Sequence, residues 1–461
     1  MFVNGLIKNQ LSIHKETHLK DEYYDKSLHF QGCYFDNHVL ISMINIKNNF
    51  IFDHVLFKQD VYVYSVKTNQ NSTFLFKNCT INTINMQNNT FLSDVKFLLN
   101  TRISNLELTE NSFDGILSVQ DSIVKNINLY KNELKNKCYF NYTCFGDKDH
   151  EESKINLFNA KFQNDIYFDN SIFYNYADFH ACEFKKIASF YGVKFEKTPN
   201  FSQAIFKGNL NVVNTNLNFT FCDLQEKIVQ EYEDFNKDKK EEYQKSLDKF
   251  ANDFRDSFRT FKNALIKDNN LLDASNFHKC ELYCKEIELK FKKPKIFSRE
   301  WIDKWQLFFY RKLCDHHTDL LLNLRWLVVV VGFFVSVLFV LRYGDGNLLQ
   351  FFNKDNDLLK ILKAMLNIKA LNDSDATYLI LLYSFIGLFF VRTFFIFYYL
   401  VIFILMLAMS PYNLFSVVNF VTKDQSSSFL ENIIMVAYTL IMILVLFSLQ
   451  KTARKSSIVP S

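Results

Sequence analysis

The chain has 461 residues, among them 51 Phe and 23 Tyr but only 10 Gly and 4 Pro, and its formal net charge is +4. A charge this small for the length does not by itself imply a nucleic-acid partner. The nine cysteines are odd in number and widely spaced, and no apolar leader opens the chain. We therefore expect reduced thiols and a cytoplasmic setting for this part of the protein.

After an N-terminal leader or cap (1–26), large apolar residues recur with alternating gaps of five and six, a spacing that fits neither a helix nor an amphipathic strand. Two ladders of this kind run from Phe30 to Phe74 and from Ile81 to Leu134. The most regular ladder consists of Phe162, Phe168, Phe173, Phe179, Phe184, Phe190, Phe195, Phe201 and Phe206. A fixed period of eleven residues predicts a solenoid in which each short side places one large side chain inward.

Small residues often stand two positions before a ladder residue, as at Ala160, Ser171, Ala177 and Cys182, and Asn is frequent where the coil must turn. These features resemble the pentapeptide-repeat family. The resemblance covers 27–222 and implies a right-handed quadrilateral β-helix. The stretch 135–156 interrupts the ladder, which predicts an inserted loop there.

From 223 to 295 the apolar period changes to three and four residues, which predicts a helical hairpin linker with helices at 241–267 and 272–292. This segment resembles the hairpin that follows the repeats in membrane-anchored bacterial pentapeptide-repeat proteins. The resemblance implies no catalytic or ligand-binding role for the hairpin. The matching positions are Arg259, Lys262, Asp273, Ala274, Phe277 and Glu281.

The remainder, 296–461, predicts an α-helical transmembrane domain with spans near 322–342, 377–391, 393–409 and 431–450. Between Lys285 and Lys312 there are nine Lys or Arg against four acids, and the tail after the last span is also basic. Both ends should therefore be cytoplasmic, which requires an even number of crossings. Three crossings with a partly inserted segment are the alternative. Arg392, the one intramembrane charge, is interpreted as a boundary residue between two spans.

The sequence contains only weak motifs for metal binding and none for catalysis. His278, Cys280 and Cys284 form one candidate zinc cluster and Cys314, His316 and His317 another, but no CxxC pair is present and thirty residues separate Cys284 from Cys314. The sequence also lacks the common nucleotide-binding, hydrolase and metalloprotease motifs. We expect no catalytic, cofactor-binding or metal-binding residues, and therefore no enzyme.

Three functions fit this organisation. The favoured one is a scaffold for protein–protein interaction, anchored in the bacterial inner membrane with a bilayer and an unidentified protein as its partners. The alternative is a transporter or channel with the solenoid as a regulatory cap. A remote alternative, implied by soluble pentapeptide-repeat proteins, is a DNA mimic that binds topoisomerases. Residues 30–222 hold 18 basic and 18 acidic residues, whereas a DNA mimic needs an acidic surface.

Overall fold

The computed structural model describes residues 2–7, 11–14, 23–24, 26–150, 152–343 and 429–454. In these residues the chain forms a β-solenoid of about nine turns followed by several helices, so the predicted solenoid is confirmed. The chain divides into two compact units, Met1–Leu307 and Phe308–Ile458. The predicted spans at 377–391 and 393–409, with Arg392 between them, lie outside the described residues.

Each strand of the solenoid pairs in parallel with the strands one turn before and after it. Four strands make up one turn, so the solenoid has four sides. One side is a nine-stranded sheet of Tyr23–Tyr24, Asn45–Ile46, Lys67–Thr68, Thr90–Phe91, Ser112–Phe113, Glu133–Leu134, Lys161–Phe162, Glu183–Phe184 and Ile205–Phe206. The other three sides form a continuous 23-stranded sheet, because several longer strands run around a corner. Its strands are Phe2–Ile7, Leu11–His14, Leu28–Phe35, Val39–Ser42, Phe50–Asp53, Leu56–Phe57, Val61–Tyr64, Thr73–Lys77, Thr80–Gln87, Asp94–Leu98, Arg102–Thr109, Leu117–Val119, Ile123–Asn128, Cys138–Tyr139, Cys144–Phe145, Ile155–Asn156, Ile166–Tyr167, Ile172–Phe173, Ala177–Asp178, Ala188–Ser189, Lys194–Phe195, Leu210–Asn211 and Asn216–Leu217.

The alternation of five and six residues follows from two kinds of corner. Phe162 pairs with Phe184 and Phe184 with Phe206, so one turn spans 22 residues, or two eleven-residue periods. Each five-residue gap in this region contains a β-turn whose third residue has a positive φ, as at Ala181 and Gln203. In these turns the backbone N–H of the fourth residue donates to the carbonyl of the first, as Cys182 does to Phe179 at 3.2 Å. The six-residue gaps turn without a left-handed residue.

The inserted loop is shorter than the sequence predicts. Strands continue regularly through Cys138–Tyr139 and Cys144–Phe145, and both Phe140 and Phe145 are buried in the ladder. Leu134 pairs with Phe162 across 28 residues instead of 22, so six extra residues enter this turn. They lie in the segment 146–154, between two strands, and not over the whole of 135–156. Phe140 and Phe145 continue the ladder after Leu134 with gaps of six and five, so sequence reasoning placed the break too early.

The first turn of the solenoid also begins earlier than the repeat boundary at residue 27. The strand Phe2–Ile7 pairs in parallel with Leu28–Phe35, and Leu11–His14 pairs with Val39–Ser42. The segment 1–26 therefore contributes strands to the coil instead of lying outside it as a leader. Its phase is difficult to read from sequence because only a single turn is available to reveal a period.

Three helices follow the solenoid in the first unit: α1 (Phe221–Asn236), α2 (Leu247–Lys267) and α3 (Leu271–Lys292). The hairpin of α2 and α3 is present, but α2 begins at Leu247 and not at 241, where a short 3₁₀ turn precedes it. The apolar face of this helix therefore begins later in the sequence than predicted, and Tyr243 is exposed. Helix α1 was not predicted as a separate element.

The hairpin covers the open end of the solenoid core. Phe261 of α2 lies 4.8 Å from Phe201 and 5.7 Å from Phe206, measured between ring centroids, and Phe277 of α3 packs on its other side at 5.4 Å. Ala274 is fully buried in the same cluster. A solenoid end would otherwise expose its last ring of apolar side chains, so this hairpin acts as the C-terminal cap.

Three further helices are described: α4 (Arg299–Cys314), α5 (Leu320–Tyr343) and α6 (Phe429–Ala453). Helices α5 and α6 coincide with the predicted spans 322–342 and 431–450. They pack side by side, with the ring centroids of Phe334 and Tyr438 5.1 Å apart and Asn323 Nδ2 3.0 Å from Ser448 Oγ. Residue numbers rise along α5 while those of their neighbours on α6 fall, so the two helices are antiparallel.

Candidate interaction surfaces

The ladder phenylalanines form the solenoid interior. Phe206, in the last turn, is partly buried, and the other eight are at most 3% exposed. Rings in successive turns stack nearly parallel, as in the pair Phe179 and Phe201 at 4.4 Å. Rings within one turn meet edge to face, as Phe168 and Phe179 do at 5.6 Å. These rings fill the core, so the residues available to bind a partner are those that face outward.

The polar residues on which the resemblance to known hairpins rests form hydrogen bonds within the hairpin and to the solenoid. The Glu281 carboxylate accepts hydrogen bonds from Arg259 Nε at 2.9 Å and Lys262 Nζ at 2.7 Å. Burial acts to raise the pKa of Glu281, but hydrogen bonds from His278, Lys262 and Arg259 outweigh it and lower this pKa to about 2. Asp273 accepts from the backbone N–H of Asn214 in the last coil at 2.9 Å. The Glu281 contacts therefore join α2 to α3, and the Asp273 contact joins the hairpin to the solenoid.

The candidate zinc residues are buried among the helices, apart from the half-buried His278. Burial raises the pKa of the Cys284 thiol well above its usual range, and His278 Nδ1 lies 3.2 Å from Glu281. Cys314 Sγ lies 3.5 Å from His317 Nδ1, in the second unit. Across 26–150, 152–343 and the other described ranges, no group of three or more His, Cys, Asp or Glu residues is arranged to hold a metal.

A buried polar cluster ties one end of the α5–α6 pair together. The Ser448 hydroxyl accepts from Asn323 Nδ2 at 3.0 Å and lies 3.2 Å from the Cys314 sulfur. His317 Nδ1 lies 3.3 Å from Thr452 Oγ1. All five residues are buried. The cluster therefore attaches the end of α4 and the first turn of α5 to the last turns of α6.

One of the described helices, α6, contains a window long and apolar enough to cross a membrane, Val436–Ala453. Large apolar side chains on α6 are exposed, among them Val436 and Phe447. The chain thus has a candidate membrane-spanning helix near its C-terminus.

A groove crosses the outside of the solenoid where the inserted loop leaves it. Its volume is about 330 Å³. We call it the amide groove; it is lined by Asn105, Glu107, Asn126, Ile127, Asn128, Glu152, Lys154 and Asn156. The asparagines come from successive turns because positions 105 and 126, and positions 128 and 156, are paired in register. The groove therefore presents rows of amides with two carboxylates and one ammonium group.

Hydrogen bonds fix the amides of the groove in place. Asn126 Nδ2 donates to Asn105 Oδ1 at 2.9 Å, and the backbone N–H of Lys154 donates to Asn126 Oδ1 at 2.7 Å. Asn156 Nδ2 lies 3.3 Å from Asn128 Oδ1. Because the side chains are held before any ligand arrives, binding there requires little ordering of the protein.

The inserted loop that forms one wall of the groove is itself attached to the solenoid. Asn175, which is buried, accepts from the backbone N–H of Asp147 at 2.7 Å and donates to the carbonyl of His150 at 2.9 Å. Lys125 and Asp147 form an ion pair at 2.7 Å. One amide thus holds the loop by both its donor and its acceptor, and this defines the shape of the groove.

A cluster of ionisable groups lies where α1 meets the solenoid. The Tyr176 hydroxyl donates to Glu231 Oε1 at 2.8 Å, and Lys227 Nζ lies 3.4 Å from the centroid of the Tyr176 ring and 3.1 Å from Glu231. Burial raises the pKa of Asp178 to about 6; the backbone N–H of His180 and the charge of Lys227 oppose this, while Glu231 adds to it. The cluster docks α1 on one side of the coil.

Sequence reasoning missed the amide groove, the attachment of the inserted loop and the α1 cluster. Only α1 had a local signal. Thr220 and Asp223 form a capping box, in which each side chain accepts from the other residue's backbone N–H, and the spacing T-x-x-D is visible in the sequence. The other features join residues 20 or more positions apart, and no local pattern marks them.

Comparison with known proteins supports the repeat assignment. Residues 168–216 match the family model for pentapeptide repeats, which describes nine copies of the repeat. The matched segment is about a tenth of the chain and lies in the most regular ladder. No curated protein and no solved structure matches this chain. The resemblance to pentapeptide repeats is therefore confirmed for these coils.

Proposed function

We propose that this chain is a membrane-anchored scaffold that binds a protein partner at the amide groove of its solenoid. The groove carries this proposal, because it is a recess on the coil lined by polar side chains that hydrogen bonds already hold in place. Its asparagines can donate to and accept from a polypeptide backbone. Glu107 and Glu152 outnumber Lys154, so the occupant is a polar segment of the partner with a Lys or Arg side chain.

The function that we propose includes no catalysis and no nucleic-acid contact. Within 26–222, rows of hydrogen-bonded amides run along the coil, as Asn89, Asn111 and Asn132 do in the interior. The equal numbers of acidic and basic residues in 30–222 support neither a DNA mimic nor a DNA-binding surface.

The proposed anchor consists of four spans in a bacterial inner membrane, with both chain ends in the cytoplasm. Two described features support it. The antiparallel packing of α5 and α6 brings the start of α5 and the end of α6 to the same side, as an even number of crossings requires. That side carries Lys451 and Arg454, in agreement with the positive-inside rule. We also infer that the coil is right-handed, as the resemblance to pentapeptide repeats implies.

Photo-crosslinking in native membranes tests the groove. A photoreactive amino acid at the exposed Glu152 position should give one defined adduct, whereas the same probe at the exposed Lys161, on the nine-stranded side, should give none. Glu107→Lys, introduced beside the Glu152 probe, should abolish the adduct because it repels the basic segment. Glu133→Lys, outside the groove, is the matched control and should leave the adduct intact. Equal adducts from both probe positions, or an adduct that survives Glu107→Lys, would contradict the proposal.

A further inference from the structure

The loop between α3 and α4 presents apolar side chains to solvent. Ile296 is 72% exposed and Phe297 is 81% exposed. Lys293 has a φ of 47° because it is the left-handed C-cap that ends α3. Phe297 has a φ of 62°, in the left-handed region that costs energy for a residue with a side chain, and its large ring is held outward.

The exposed ring of Phe297 begins a row of aromatic side chains. Its centroid lies 5.4 Å from that of Trp301, and the centroid of Trp301 lies 6.1 Å from that of Trp305. Trp301 and Trp305 are four positions apart and lie on one side of α4, and Phe297 precedes the helix by two residues. Trp305 is 51% exposed, and Ile302, one turn before it, is 54% exposed. The row therefore forms an aromatic and aliphatic surface.

Basic residues surround this row. The segment 292–305 holds five Lys or Arg and two acids, a net charge of +3. The basic residues are Lys292, Lys293, Lys295, Arg299 and Lys304. One acid, Glu300, is already paired with Lys292 at 2.5 Å. Lys293, Lys295 and Arg299 are exposed beside Phe297.

We propose that the aromatic–basic face of 293–305 lies in the headgroup layer of an anionic bilayer. Tryptophan combines an apolar ring with an N–H donor, which suits the boundary between acyl chains and water. Lysines beside such a surface are attracted to anionic lipid phosphates. Helix α5, at the span predicted from the sequence, begins at Leu320, soon after this face. This inference rests on the proposed membrane anchor but adds a second, in-plane contact that would fix how the first unit is held at the surface.

Tryptophan fluorescence of the full chain in lipid nanodiscs tests the inference. The chain has three tryptophans, so Trp301→Phe with Trp326→Phe leaves Trp305 as the only reporter, and Trp301→Phe with Trp305→Phe leaves Trp326 in α5. In discs containing phosphatidylglycerol, lipids brominated near the carbonyl should quench Trp305 more than lipids brominated near the chain end. Aqueous iodide should quench it weakly.

Two results would overturn the inference. Strong quenching of Trp305 by iodide without quenching by brominated lipid would place it in water, and insensitivity to both quenchers would place it against protein. If Trp326 is quenched by brominated lipid in either case, the membrane anchor stands and only the interfacial contact fails. If neither tryptophan responds to brominated lipid, the anchor itself fails.

A charge variant tests the contribution of anionic lipid. Lys293→Glu with Lys295→Glu should about halve the quenching of Trp305 by brominated lipid in phosphatidylglycerol discs and have little effect in phosphatidylcholine discs. Lys185→Glu with Lys186→Glu, an equal charge change at exposed solenoid positions, is the matched control and should have no effect. Equal effects of the two double variants would contradict the proposed headgroup contact.

Discussion

Phe184 illustrates how single side chains hold the solenoid together. Its ring lies between those of Phe162 and Phe206, with centroids 5.1 and 4.7 Å away and planes within 9° of parallel. Phe190 meets it edge to face at 6.3 Å. Each ladder residue thus stabilises the turns before and after its own. Since the described solenoid residues form no disulfide, stacked burial of this kind is the main stabilising interaction.

We predict that Phe184→Ala lowers the free energy of unfolding by about 3–5 kcal/mol, because it removes a buried ring and leaves a cavity between two others. Ile205→Ala is the matched control on the same side of the coil: Ile205 is 52% exposed, and the change should cost less than about 1 kcal/mol. Denaturant unfolding of the detergent-solubilised chain, followed by circular dichroism, measures both. Similar losses for the two variants would mean that the inward phase of the ladder is wrong.

At the scale of elements, regular periods were readable from the sequence and long-range contacts were not. The ladder from Phe162 to Phe206 predicted the coil because each turn repeats the same apolar requirement. The hairpin followed from the three- and four-residue spacing of apolar residues. The inserted loop was placed less well, because Phe140 and Phe145 continue the ladder through residues that the sequence analysis assigned to the loop. The amide groove could not be predicted, since its residues lie 21 to 28 positions apart in the sequence and meet only when successive turns bring them together.

The docking of α1 on the solenoid should depend on pH through Asp178. Its pKa in the folded state, about 6, is raised from 3.8, so ionisation is less favourable in the folded than in the unfolded chain. The resulting loss of stability is absent below about pH 4, develops as the pH rises and is complete above about pH 6. It amounts to about 3 kcal/mol at most.

Asp178→Asn should therefore stabilise the protein at pH 7.5 and give little gain at pH 3.5. The amide retains an acceptor for the backbone N–H of His180, which lies 2.9 Å from Asp178 Oδ1. Asp121→Asn, at an exposed corner, is the control and should change stability little at either pH. Melting temperatures across this pH range measure the effect. An equal gain for Asp178→Asn at both pH values would exclude the raised pKa as its cause.

At the scale of the whole molecule, the two compact units have different surfaces. The first unit has a filled core, a helical cap and a polar groove. The second has paired apolar helices with large side chains exposed along α6. This division assigns recognition to the first unit and anchoring to the second in the scaffold that we propose. A transporter would instead require its function to lie in the second unit.

Exchange of the second unit tests this assignment most directly. Residues 308–461 are replaced by an unrelated single-span anchor with the same cytoplasmic orientation, and the photoreactive probe stays at position 152. The scaffold account predicts that the chimera in membranes forms the same adduct, with the same dependence on Glu107, at a yield close to that of the full chain. Loss of the adduct from a correctly folded chimera, together with solute flux through liposomes that contain the full chain, would contradict it.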